Sequence, residues 1–107
     1  MKKYKYKDKD GKIFERVNKK TAESVYTLGL PVVLCPVNLR PGEPYHPEIV
    51  LNRKNRERFV ADEIGVKNDF ANQVSSFEYY NCVNSETGKY AAFYTLTLET
   101  VASMYTH

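Results

Sequence analysis

Polar and apolar residues change period several times along the chain, and each change marks an element. Tyr4–Lys7 and Lys12–Val17 alternate in character around Asp8-Lys9-Asp10-Gly11. A turn signal ending in glycine between two alternating runs predicts a hairpin over about 4–17. Tyr4, Tyr6 and Ile13, with Glu15 and Val17 in an open register, supply its packing faces. The lysines of Tyr4–Lys9 suit an exposed edge strand, where charge discourages pairing with other chains. The period then lengthens. Asn18 is a good N-cap, Ala22, Val25 and Tyr26 fall at helical spacing, and Gly29 is a good stop, so a short amphipathic helix is predicted before Leu30-Pro31.

Val32–Leu39 is apolar on both parities, which suggests a strand covered on both faces. Pro36 has no amide to donate and argues for an edge or a bulge at that point. Arg40–Pro47 is a proline-punctuated loop, and Glu48–Leu51 returns as a strand, giving a second pair over about 32–51. A charged run from Asn52 leads into Phe59–Gly65, read as a short helix or turn ending at Gly65. Asn68-Asp69 can then cap a helix that puts Phe70 and Val74 on one face.

The period becomes two at Phe77. Phe77–Val83 and Lys89–Leu98 are aromatic, β-prone runs flanking Asn84-Ser85-Glu86-Thr87-Gly88, which predicts a third hairpin over about 77–98. Gly88 can supply the positive φ that such a loop needs. This hairpin holds six of the fourteen Tyr and Phe residues, so it is expected to form the wall against which the rest packs. Met104–His107 reads as a frayed tail. Antiparallel strands interrupted by short helices indicate α+β. The expected architecture is an antiparallel sheet of hairpins (about 4–17, 32–51 and 77–98) with two or three short helices packed on one face, in a single domain spanning 1–107.

Composition narrows the class without naming a function. With 107 residues, 42% hydrophobic and 27% charged, the chain can bury a core without disulfides or metal. No window approaches the ~18 apolar residues of a membrane span. Met1-Lys2-Lys3 is followed by Tyr4–Asp10 and not by an apolar stretch, so export is not expected and a cytoplasmic location is. Cys35 and Cys82 lie in apolar or aromatic contexts and are expected as reduced, buried thiols; they could pair only on neighbouring strands. The net charge of +3 is uneven. Residues 1–20 hold nine Lys or Arg against three acids, and residues 21–107 hold seven against ten.

Catalytic chemistry finds little purchase. Cys82 with His46 as base would make a thiolate nucleophile, but no thiol-enzyme signature surrounds Cys82. Asp62/Glu63 or Glu78/Glu86 could do acid–base work only if one member were desolvated. Two histidines and two dispersed cysteines offer no metal-ligand spacing, and Gly88-Lys89 lacks a phosphate cradle, so neither metal nor cofactor is expected.

Two binding readings remain. In the first, protein binding, tyrosine gives large contact area at low ordering cost, and this chain has nine. Tyr79 and Tyr80, as neighbours on a strand, would point to opposite faces. Tyr80 with Tyr90 and Tyr94 could then form an aromatic outer patch, and Tyr45 and His46, stiffened by prolines, a second contact loop. The alternative is nucleic acid. Lys3, Lys5 and Lys7 interleaved with Tyr4 could neutralise phosphates and stack on bases, with Arg53, Lys54, Arg56 and Arg58 as a second basic cluster. Against both stands ordinary packing of the rings and solvation of the charges. Either reading is compatible with a monomer or a homodimer.

Phe77-Glu78-Tyr79-Tyr80-Asn81-Cys82, followed by Glu86-Thr87-Gly88-Lys89-Tyr90 and Phe93-Tyr94, resembles small proteins of unknown function carried by phages and conjugative elements of Gram-positive bacteria. The resemblance covers about Asp69–Tyr94. It implies a non-enzymatic accessory or inhibitor that binds a host protein, such as a CRISPR nuclease or another defence factor. The basic N-terminal end argues against inhibitors that mimic DNA by acidity.

Overall fold

A computed structural model describes residues 4–41, 48–52, 63–83 and 88–104. In chain order the elements are β1 (Lys5–Lys7), β2 (Ile13–Val17), α1 (Lys19–Thr27), β3 (Val32–Pro36), β4 (Ile49–Leu51), α2 (Glu63–Asn81), β5 (Ala91–Leu96) and α3 (Leu98–Met104). The strands form one antiparallel sheet in the order β1-β2-β5-β3-β4, so the fold is α+β with helices packed against a sheet.

Local chemistry sets the first half. Asp8 Oδ1 accepts from the amides of Asp10 (3.0 Å) and Lys12 (2.8 Å), which closes the β1–β2 turn. Tyr6 faces Phe14 across that hairpin, while Lys5 and Lys7 are exposed on the edge strand. Asn18 Oδ1 accepts from the Thr21 amide at 2.8 Å and caps α1. Replacing Asn18 by Ala should lower stability by about 1 kcal/mol, read from denaturant midpoints. Beyond α1, Gly29 takes φ +88°, the left-handed conformation that ends many helices.

β3 is buried along its whole length, between β4 and β5, which is why both parities are apolar. Pro36 is tolerated because it is the last residue of the strand, opposite Ala91; pairing continues beyond it through the Val37 amide and the Tyr90 carbonyl at 2.9 Å.

The third hairpin is where the structure departs from the sequence reading. β5 is a strand, but residues 77–81 are the last turns of α2, a continuous helix of 19 residues. That helix runs through Gly65, where a stop was expected, and through Asn68-Asp69, where a start was expected. Val66, Phe70, Val74 and Phe77 are all buried, at spacings of four, four and three, so the helical period extends past Val74 into the aromatic run. Burial of Phe77 on that face overrides the strand preference of its neighbours. β5 takes its partners from far upstream instead, pairing with β2 (Phe14↔Leu96) on one side and with β3 (Val33↔Tyr94) on the other.

The sheet is buried on both faces. α1 and α2 cover one, where Ala22, Tyr26, Phe70 and Phe77 pack over Val32, Leu34 and Phe93. Phe70 sits between the Tyr26 and Phe93 rings, with centroids 5.4 and 6.1 Å away. The Tyr26 hydroxyl donates to Asp69 and ties the two helices together. On the other face Phe14, Val33, Cys35, Ala92, Tyr94 and Leu96 form a second cluster, flanked by Tyr4, Tyr6 and Val101 of α3. α3 went unread in the sequence. Its signal is Thr97, whose hydroxyl caps the Thr100 amide at 3.3 Å just before Leu98-Glu99.

Gly88 leads into β5 with φ +85°. A Cβ there would stand 2.6 Å from Val37 Cγ1 and 3.2 Å from Asn38 Nδ2. Gly88→Ala therefore combines left-handed strain of about 1–2 kcal/mol with a clash. A thermal melt should show a clear loss of stability, and an unchanged melting temperature would contradict this packing.

Candidate functional site

The C-terminal end of α2 meets the start of β5 through one charge-assisted bond: Glu78 Oε2 accepts from the Ala91 amide at 2.8 Å. Cys82 continues the helical pattern by donating its amide to the Glu78 carbonyl at 2.9 Å, and Asn81 Nδ2 donates to the Phe77 carbonyl at 3.2 Å. The backbone at this corner is thus held from both elements.

Rings project from it. Tyr79 and Tyr80 are 70% and 78% exposed, and Tyr90, just before Ala91, is 67% exposed. The expectation that Tyr79 and Tyr80 point to opposite sides of a strand is corrected by the helix. Successive helical residues lie about 100° apart, so both escape the core. Their rings meet edge to face at 5.0 Å between centroids. Val83 adds exposed apolar surface immediately after the helix.

Tyr94 does not belong to this surface. It is 2% exposed in the second core cluster, with Tyr4 and Tyr6 edge-on to it at 5.8 and 5.7 Å. Inward parity on a strand covered on both faces places it there. Tyr45 and His46 lie outside the described residues, as do Lys3, Arg53, Lys54, Arg56 and Arg58. Of the basic hairpin, Lys5 and Lys7 are exposed but the tyrosines turn inward. Tyr6 stacks on Phe14 at 5.3 Å, and the Arg40 guanidinium covers the Tyr4 ring at 5.2 Å. Neither face offers a base the open platform that stacking requires.

Both thiols are shielded by burial. Cys35 and Cys82 are fully buried and form no disulfide; they lie one in each core cluster, so the sheet itself separates them. Burial, reinforced by the Glu78 carboxylate, pushes the Cys82 thiol up to about 11. A nucleophile needs the opposite shift. Both thiols should resist an aromatic disulfide reagent at pH ~8 in the folded protein and react fully on denaturation; rapid native labelling of either would refute their placement. Carboxylates and thiols are scattered, and among the described residues no three His, Cys, Asp or Glu side chains come together as a metal would require.

A groove of about 580 Å³ opens near the β1–β2 turn. Tyr6, Phe14, Pro31, Val33 and Val50 give it an apolar lining, while Lys7, Lys9 and Lys12 are balanced by Asp8, Asp10 and Glu48. That balance selects no charge class of ligand.

No helix among the described residues is long and apolar enough to cross a membrane. No family model matches the chain, no curated protein matches it, and no solved structure matches its fold.

Proposed function

We propose that this protein is a non-enzymatic binding module that engages a protein partner through the tyrosines at the α2–β5 corner. The observation that supports the reading is the pair Tyr79 and Tyr80, both largely exposed and in mutual edge-to-face contact. They stand on a helix end fastened by the Glu78 bond to Ala91. Large aromatic rings on a rigid backbone lose little freedom on docking, the property that concentrates binding energy in tyrosines at interfaces. Tyr90 extends the patch from the strand side. The resemblance to proteins of phages and conjugative elements suggests a host factor as partner, a defence nuclease among the candidates, met in the cytoplasm. A nucleic-acid role would have to rest on lysine and arginine charge and not on stacking by Tyr4 and Tyr6, which are turned inward.

The test is a capture experiment from a Gram-positive host lysate with the wild type, Tyr80→Ala and Tyr90→Ala, followed by affinity measurement on whichever protein the wild type retains. Loss of a hot-spot tyrosine should weaken that affinity by roughly thirtyfold, about 2 kcal/mol. Equal retention by all three would remove the surface from consideration. A salt-sensitive gel shift with random-sequence DNA or RNA would instead favour the charge-only alternative.

A further inference from the structure

The topology gathers cations around the tyrosine corner. β2 finishes at Val17, opposite Phe93, and α1 starts just after it with Lys19-Lys20. β5 begins at Ala91, opposite Pro36, with Lys89 and Tyr90 immediately before it. The Glu78 bond to Ala91 brings Tyr79 and Tyr80 to that same end of the sheet. Arg40, which follows β3, lies over the ring of Tyr4, whose carbonyl accepts the Arg16 amide next to Val17. Lys19, Lys20, Arg40 and Lys89 are all exposed, and among the described residues no ion pair holds Lys19, Lys20 or Lys89. The Glu78 carboxylate is half-buried and committed to the Ala91 amide, while Glu15 and Glu23 stand farther along β2 and α1. Around the β1–β2 turn, at the opposite end, the lysines are balanced by acids.

Two of these cations work against their own helix. The first turn of α1 holds Lys19 and Lys20 and no acid. A cation there opposes the helix dipole, whereas Asp or Glu would complement it. Local stability does not account for the pair; an anion brought from outside would.

We propose that the surface docking on the tyrosine corner is acidic, an apolar contact ringed by Asp and Glu side chains that meet Lys19, Lys20, Arg40 and Lys89. This inference rests on the protein-binding reading above and names the chemistry of that partner. Interfaces enclose an aromatic core in a polar rim, and complementary rim charge speeds encounter and rejects wrong partners. The rings favour a protein over nucleic acid as the source of the negative charge. Tyr79 and Tyr80 stand at 88° to each other, so they offer no pair of parallel faces along which successive bases stack.

Fluorescence anisotropy with short labelled peptides tests the charge on the purified chain. The probes alternate Leu with Glu, with Gln or with Lys. The Glu peptide should bind roughly tenfold more tightly than the Gln peptide, the sum of several exposed charge contacts, and the Lys peptide more weakly still. That preference should vanish at about 1 M salt, where charges are screened beyond roughly 3 Å. Lys19→Glu, Lys20→Glu and Lys89→Glu should each weaken binding of the Glu peptide alone. The first two should leave the melting temperature unchanged or slightly raised, which excludes misfolding as the cause. Tyr80→Ala should weaken the Glu and Gln peptides alike. Equal affinity of the wild type for those two peptides, with Tyr80→Ala still weakening both, overturns the acidic partner and leaves the tyrosine corner standing. A Glu peptide bound equally well by Tyr80→Ala places the anion away from the tyrosines and overturns both. No binding of any peptide, or displacement of the Glu peptide by lower concentrations of random-sequence duplex DNA, also overturns the proposal.

Discussion

Phe70→Ala should remove about 3–5 kcal/mol of folding stability, the usual range for deleting a buried phenylalanine. Phe70 is fully buried, and its ring lies against both Tyr26 of α1 and Phe93 of β5. Removing it opens a void where two helices and the sheet converge, and the residues around it are held by separate elements, so collapse into the void is limited. A domain of this size has about 5–15 kcal/mol in total. The melting temperature should therefore fall by roughly 10–25 °C. Tyr79→Ala, at an exposed position on the same helix, serves as the control and should shift it by no more than a few degrees. Similar losses in the two variants would mean that α2 does not dock by its Phe70 face.

Alkaline pH should progressively destabilise the protein. Burial pushes the Cys82 thiol from 9.0 up to about 11 and the Tyr94 phenol from 10.0 up to about 12. Tyr6 moves in the same direction, by burial first and then by the Glu48 and Asp8 carboxylates. An acid whose folded pKa lies above its unfolded one holds more protons folded than unfolded between those values. Stability is then whole below the unfolded pKa and falls as pH rises towards the folded one. The window opens near pH 9 with Cys82 and extends to about 12 with Tyr94. Each of these two should subtract roughly 2 kcal/mol by the top of its own range. Guanidinium midpoints at neutral pH and at pH ~11 would measure the combined loss. Tyr94→Phe, which cannot ionise, should retain more of its stability at the higher pH. A flat profile across the window would mean that these groups are not buried in their neutral forms.

Sequence signals were reliable where chemistry was local. Asn18 and Gly29 bracket α1, Asp8–Gly11 turns the first hairpin, and the unbroken apolar run of β3 announced a strand buried on both faces. Gly88 has the positive φ expected of it, although it joins a helix to a strand and not two strands. The error at 77–81 has a definite cause. Phe77, Tyr79, Tyr80 and Val83 are strand formers by preference, and only the distant Val66, Phe70 and Val74 extend the helical repeat to Phe77. Tertiary burial decided between the two periods: the helical repeat from Val66 to Phe77 competes with the strand preference of the residues that follow. The same change moved the candidate surface. Tyr80 and Tyr90 stay outside, but Tyr79 joins them because a helix, unlike a strand, need not send adjacent residues to opposite sides. Tyr94 leaves because its face of β5 is covered by Tyr4 and Tyr6, which lie far upstream in the chain.

β5 also has an implication for how the protein is made. It is the last of the five strands to leave the ribosome, and yet it lies at the centre of the sheet, between β2 and β3. A nascent chain that has emerged only as far as α2 exposes two unsatisfied strand edges with no neighbour to close them, a template for mispairing between chains on the same message. Folding of the sheet must wait for synthesis to pass residue 96.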